Sequence, residues 1–175
     1  MIGAGLTFAG FSEDLPATGA TACNTSTYAR KHNPWVDFSN IPSSANLPFS
    51  SFPSDFTQLP TVSFVIPNLC NDMHDCAPST GDAWMGTHLD GYIQWAKTHN
   101  SLLILTFDED DGSESNQIVT FFEGAMVKAG QYGESINHYH VLRTIEAMYS
   151  LPYAGQAAHV APITDIWGEN ASPTP

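Results

Sequence analysis

Five stretches of the chain carry a hydrophobic pattern regular enough to predict an element. Thr61-Val62-Ser63-Phe64-Val65-Ile66 is β-branched and apolar between Pro60 and Pro67, which predicts a buried strand. Asp82 is placed to cap a helix running to about His99, because Met85, Leu89, Tyr92, Ile93 and Ala96 recur along one helical face and Asn100 can close it. Leu102-Leu103-Ile104-Leu105-Thr106-Phe107 is an unbroken apolar run, the pattern of a strand covered on both faces. Gln117-Ile118-Val119-Thr120-Phe121-Phe122 predicts a third strand. Val141, Leu142, Ile145, Met148 and Tyr149 repeat at the spacing of a second helix.

Strand, helix and strand in this order predict an α/β fold with a partly parallel sheet flanked by helices. A right-handed crossover would make 61–66 and 102–107 a parallel pair. The segments that follow these two strands would then leave at one carboxyl edge, where α/β proteins place their ligands. Residues 1–60 show no such pattern. They are rich in Pro, Ser, Asn and Thr, and runs such as Leu47-Pro48-Phe49-Ser50-Ser51-Phe52-Pro53 read as loops with aromatic anchors.

The charge narrows the function. The 175 residues hold 18 acidic and 5 basic side chains, a formal net charge of −13, with no Lys/Arg cluster to offset it. Such a surface repels nucleic-acid phosphates, so nucleic acid is excluded as a partner. The acidity fits solubility, an acidic medium in which some carboxylates are protonated, or carboxylates held beside a cation. No run approaches the length of a membrane span, and Met1 to Leu6 has neither the basic start nor the apolar run of an intact signal peptide. Of the three cysteines, Cys70 and Cys76 flank one short loop and can staple it, leaving Cys23 unpaired. The staple and the Pro/Thr-rich ending predict a secreted or periplasmic location.

The candidate chemistry lies in the segments after the two strands. Asp72, His74 and Asp75 offer two carboxylates and an imidazole in one short loop, a donor set that suits Mg, Ca, Mn, Zn or Fe alike. The same acids also suit a turn in which they accept from nearby backbone N–H groups. Asp108-Glu109-Asp110-Asp111-Gly112 follows the most apolar strand. It fails the calcium EF-hand pattern, because Gly112 comes one place early and Val119 stands where a Glu is required. It reads either as a solvated acidic turn or as a carboxylate set drawn to the domain's edge, where an unpaired charge requires a cation or a proton. His138 and His140 precede the second helix as a cap or as ligands, and His138 is the stronger ligand candidate. Arg30, Lys31 and His32 together suit an anion. No Gly-x-Ser-x-Gly, phosphate-loop or cysteine-rich zinc motif is present.

Several of these runs, in this order, resemble one family: Glu13-Asp14-Leu15-Pro16, Tyr28-Ala29-Arg30-Lys31-His32-Asn33-Pro34, Pro67-Asn68-Leu69-Cys70-Asn71-Asp72-Met73-His74-Asp75, Gly81-Asp82-Ala83-Trp84, Asn100 to Glu109, and His138 to Glu146. The resemblance is to the bacterial and fungal phosphoesterases that group acid phosphatases with phosphatidylcholine-type phospholipases C. It covers about Gly5 to Trp167. It implies an alkaline-phosphatase-like α/β fold, a divalent metal ion and a phosphate-ester substrate. It further implies Asp108 and Glu109 as paired metal ligands, with Asp75 and His138 as further ones. His32, Asp72 and His74 take the catalytic, phosphate-side places.

Members of that family begin with a strand leading to a Glu-Asn metal motif and a Ser or Thr nucleophile. This sequence matches them only after both, and no Ser or Thr is predicted in a strand-to-loop context. The resemblance therefore implies a missing N-terminal half as a partner, on which activity would depend. The organisation expected is a loop-rich segment over 1–60, an α/β metal-binding core of the same domain over 61–170, and a tail over 171–175. Acid-phosphatase-like hydrolysis is the function implied first. A phospholipase C-type diesterase with an apolar rim at Phe49, Phe52 and Phe56, and a secreted non-catalytic module, are the alternatives.

Overall fold

The computed structural model of the chain describes residues 1–168, and the expected tail at 171–175 lies outside them. The chain forms two compact units, Met1–Asp90 and Gly91–Pro175.

The first unit is built on a parallel three-stranded sheet in the order β2-β1-β3, with β1 at Phe8–Ser12, β2 at Asn46–Pro48 and β3 at Val62–Ile66. The α/β class with a parallel sheet and flanking helices is thus the one observed. The central strand lies inside the segment whose sequence reads as loop. Phe8-Ala9-Gly10-Phe11-Ser12 is short and contains a glycine, so it gives little strand signal. The glycine is required by packing: a Cβ on Gly10 would fall 2.1 Å from the Trp35 ring. Trp35 is itself pinned by its indole N–H, which donates to Asn46 Oδ1 at 2.9 Å. Because β1 is central it is buried. β3 lies at the sheet's edge and is only half-buried, with Phe64 46 % exposed, where the sequence predicts a buried strand.

The helix expected from Asp82 to His99 is two helices, α1 (Pro78–His88) and α2 (Asp90–Ala96). Pro78 starts α1 in the first turn, where a missing N–H costs nothing. Near its end, the Thr87 hydroxyl donates to the Ala83 carbonyl (2.8 Å) and His88 Nδ1 bonds that of Trp84 (2.9 Å). The Leu89 amide closes the last turn on the Met85 carbonyl (2.8 Å), and Leu89 (φ −113°, ψ −16°) separates the two helices. Phe49, Phe52 and Phe56 sit against one another, and Phe49 and Phe52 also meet Trp84 and Phe11 with ring centroids 5.1 and 5.2 Å apart. They are core anchors of this unit.

In the second unit β4 (Leu103–Thr106) pairs antiparallel with β5 (Thr120–Glu123) in a sheet of their own. The parallel pair expected of 61–66 with 102–107 is not among the pairings observed: β3 pairs with β1, and β4 with β5. Neither is β4 covered on both faces; its residues are half-buried and Thr106 is exposed. Helix α3 (His138–Met148) begins at Asn137, whose side chain accepts from the Tyr139 and His140 amides in a capping box closed by His140. Ile163, Ile166 and Trp167 form the core here, with Phe122, Met126 and Val141 packed against them.

Candidate functional site

In the first unit, the loop after β3 is shaped by its own side chains. Asn68 Oδ1 accepts the amides of Cys70 (3.1 Å) and Asn71 (3.0 Å), and the Asn68 carbonyl accepts that of Asp72 (2.8 Å). Met73 takes a left-handed conformation (φ 74°), and the Asp75 amide returns to the Leu69 carbonyl at 2.8 Å. The predicted Cys70–Cys76 disulfide closes the loop, leaving Cys23 free. Helix α1 presses on it through Gly81, where a Cβ would lie 2.5 Å from Met73 Cε and 2.7 Å from the Asn71 carbonyl oxygen.

This loop meets the 3₁₀ turn Arg30–His32. His32 Nδ1 lies 2.9 Å from Asp72 Oδ2, with side-chain exposures of 21 % and 15 %, so the pair is sheltered but not sealed. His32 Nε2 makes no hydrogen bond among the described residues. Asp72 Oδ1 accepts the His74 amide at 2.9 Å, so one carboxylate both shapes the turn and orients an imidazole. His74 Nδ1 lies 2.8 Å from Asp75 Oδ1, and its Nε2 lies 3.5 Å from Lys31 Nζ. An ammonium can only donate, so His74 Nε2 is the acceptor and Nδ1 carries the proton given to Asp75. The two imidazoles sit side by side, ring centroids 5.7 Å apart. The three residues expected on the phosphate side (His32, Asp72, His74) are thus together. Asp75, expected to ligate metal, is bonded to His74.

Glu13, which the sequence analysis gave no role, holds this loop from below. It accepts from the Asn68 amide (2.9 Å), from Asn71 Nδ2 (2.9 and 3.1 Å) and from the Trp84 indole (3.0 Å). Its neighbour Asp14 accepts from Asn68 Nδ2 at 2.8 Å and from the Thr27 hydroxyl. Its signal in the sequence is the tandem acid within Glu13-Asp14-Leu15-Pro16, the first of the family-like runs. Ser12, just before it, ends β1 in a strand-to-loop context; its Oγ is buried and has no hydrogen-bond partner among the described residues.

In the second unit, Asp108 and Glu109 lie exposed beyond β4, and their carboxylates make no hydrogen bond or ion pair among the described residues. The penalty for burying Asp108 therefore does not arise. His138 is next to Asp108, its Nε2 2.9 Å from the Asp108 carbonyl oxygen. Asp110 is a loop-former. Its carboxylate accepts the amides of Gly112 (2.8 Å), Glu114 (2.8 Å) and Asn116 (2.9 Å), which hold its carboxyl below the ordinary carboxylate range. Asp111 likewise accepts from Ser113.

Tested as a donor set for the divalent ion that the resemblance implies, these residues fall short. Among the described residues no group of three or more His, Cys, Asp or Glu side chains is gathered to hold a metal ion. His138 spends one nitrogen on a backbone carbonyl, and Asp75 is engaged by His74. Only Asp108 and Glu109 stand uncommitted.

Residues 2–152 match the family model described as "Phosphoesterase family". The chain belongs to the phosphoesterase family. This member is 57 % identical over 171 residues to a phosphatidylinositol-3-phosphatase of Mycobacterium tuberculosis, covering 97 % of the chain and 57 % of that protein. It is 29 % identical to a phosphate-repressible acid phosphatase of Penicillium chrysogenum (83 % of the chain, 40 % of that protein). With an acid phosphatase of Aspergillus fumigatus it shares 30 % identity (83 % and 37 %). The chain spans from about a third to rather more than half of the length of these relatives. No solved structure gives a significant match. No helix among the described residues is long and apolar enough to cross a membrane.

Proposed function

We propose that this phosphoesterase-family chain serves the hydrolysis of phosphate monoesters, with Lys31, His32, Asp72 and His74 as its phosphate- and proton-handling cluster. The observation that carries the reading is the sheltered His32–Asp72 pair, next to a second imidazole, His74, whose Nε2 meets Lys31. Hydrolysis breaks the ester P–O bond, so the departing alkoxide needs a proton. An imidazolium held at Nδ1 by a carboxylate can supply it from Nε2; the attacking water leaves its hydroxyl on phosphorus and returns its other proton to that Nε2. Lys31 offsets the charge of the phosphoryl oxygens. Asp75 keeps His74 in the tautomer whose Nε2 faces that lysine.

The relatives named as acid phosphatases and as a phosphatidylinositol-3-phosphatase support a monoester substrate, including the 3-phosphate of an inositol lipid. A diesterase with a lipid rim at Phe49, Phe52 and Phe56 gains no support, since those rings pack on one another. For a divalent ion (Mg, Ca, Mn, Zn or Fe), Asp108 and Glu109 are the proposed donors. The disulfide supports a secreted or periplasmic location.

The test is hydrolysis of p-nitrophenyl phosphate and of an inositol-lipid 3-phosphate by wild type, His32→Ala and His74→Ala at acidic and neutral pH. Orthovanadate titration followed by imidazole ¹⁵N shifts runs alongside. The expected result is vanadate-dependent shifts at His32 and His74, with turnover lost in the His32 variant. Unchanged turnover in His32→Ala would overturn the mechanism. Absence of both turnover and vanadate shifts, in the chain alone and with an N-terminal half supplied, would leave a non-catalytic module as the correct description.

A further inference from the structure

We propose that Glu13 is the positioning residue of this site: it fixes the disulfide loop so that Asp72 meets His32. The inference rests on the reading of His32–Asp72 as the proton-handling pair.

Glu13 stands at the carboxyl end of the central strand, and its amide extends the β1–β3 ladder by donating to the Ile66 carbonyl at 2.9 Å. Its backbone is therefore tied into the sheet. Both carboxylate oxygens are filled. Oε1 accepts from the Trp84 indole (3.0 Å) and Asn71 Nδ2 (3.1 Å), Oε2 from the Asn68 amide and Asn71 Nδ2 (2.9 Å each). Every donor is neutral, and only a group that accepts at both oxygens satisfies them all, which an ionised carboxylate does and an amide does not.

The path onward is short. Asn68, gripped at its N–H by Glu13, accepts the Asp72 amide on its carbonyl (2.8 Å), and Asn71 is the residue before Asp72. Asp72 then reaches His32 at 2.9 Å. Trp84 ties the same carboxylate to α1, whose Gly81 admits the loop at close range. Glu13 makes no hydrogen bond to Lys31, His32, Asp72 or His74, so it acts through the loop and not on the substrate. A bare structural anchor would change stability alone. A positioning residue must also change the state of the His32 imidazole, because a displacement of about 1 Å at a catalytic group costs on the order of 10²-fold in rate.

The experiment compares Glu13→Gln with Asn71→Ala, which removes donors from the opposite side and leaves the carboxylate intact. For each, kcat and KM for p-nitrophenyl phosphate are measured, and the His32 ring nitrogens are followed by ¹⁵N NMR without substrate. The expected result is a fall in kcat of about tenfold to a hundredfold with KM little changed. The Nδ1 resonance of His32 should leave its carboxylate-bonded position in both variants. Glu13→Gln placed on Asp72→Asn should add little, since residues acting along one path are not additive. An unchanged His32 spectrum in both variants, or losses that multiply in full on the Asp72→Asn background, would overturn the proposal. A shifted His32 spectrum with turnover indifferent to Asp72→Asn would uphold the positioning role and sink the catalytic reading of the pair.

Discussion

His32 Nδ1 and Asp72 Oδ2 lie 2.9 Å apart, joining a 3₁₀ turn to the disulfide loop that follows β3. The carboxylate fixes which ring nitrogen is committed and which is open. Asp72→Asn keeps the shape of that contact but removes the charge that stabilises an imidazolium. Turnover of p-nitrophenyl phosphate should fall by about 10²-fold or more, mostly in kcat. Equal kinetic constants in variant and wild type would show that proton transfer does not pass through this pair.

The Cys70–Cys76 bond closes a loop with a sequence separation of 6, so it constrains little unfolded chain. Cys70→Ser/Cys76→Ser should lower unfolding free energy by about 2 kcal/mol, the lower end for disulfides. The site should suffer more than the fold, because Asp72 and His74 lie inside the closed loop. Calorimetric melting and turnover of the double variant check both parts, and a variant that melts lower with full activity would contradict the second.

Asp110 supplies a pH dependence with a definite sign. Its folded-state carboxyl is held below the ordinary value of 3.8, first by the Gly112 amide and then by that of Glu114. A depressed folded value gives a contribution present in full above 3.8 and lost as pH falls through the folded value. Amide exchange at Gly112, Glu114 and Asn116 should therefore become faster relative to the rest of the chain below about pH 4. Asp110→Asn should show that loosened loop already at neutral pH. A loop equally protected in both proteins would remove Asp110 as its organiser.

Asp108 and Glu109 are two uncommitted carboxylates without a third ligand among the described residues. Titration calorimetry with Mg, Ca, Mn and Zn should give weak binding, with Kd on the order of 10⁻³ M, as for sparse oxygen sites. Asp108→Asn with Glu109→Gln should abolish it. Tight binding that survives these substitutions would locate the ion elsewhere.

The parts that were legible in the sequence are those set by neighbours along the chain. The run Val62–Ile66 is a strand, as its β-branched pattern requires, and α3 carries the expected apolar spacing, though it starts at His138, earlier than expected, because Asn137 caps it, so His138 and His140 lie in its first turn. Cys70 and Cys76 pair because one short turn brings them together, and His74 meets Asp75 because they are adjacent. The single helix expected from Asp82 to His99 is divided at Leu89, although the hydrophobic spacing continues across that residue. Periodicity registers which face is apolar and not a local departure of one residue's backbone from helical geometry.

Pairing between distant segments is a different matter, because a strand's pattern specifies which faces are apolar and not which strand lies beside it. Tertiary structure alone decided that β3 pairs with β1, and that β4 turns back on β5 as an antiparallel partner. It made Phe8–Ser12 the central strand, where Gly10 exists to admit the Trp35 ring, a reason no local propensity contains. It also left Asp108 in solvent, brought His32 to Asp72, and gave Glu13 its donors on Asn68, Asn71 and Trp84. The sequence by itself determined which chemical groups exist and the short turns that carry them. Which carboxylate faces which imidazole depended on the packing of segments far apart in the chain, where burial and hydrogen-bond satisfaction act only once the fold has closed.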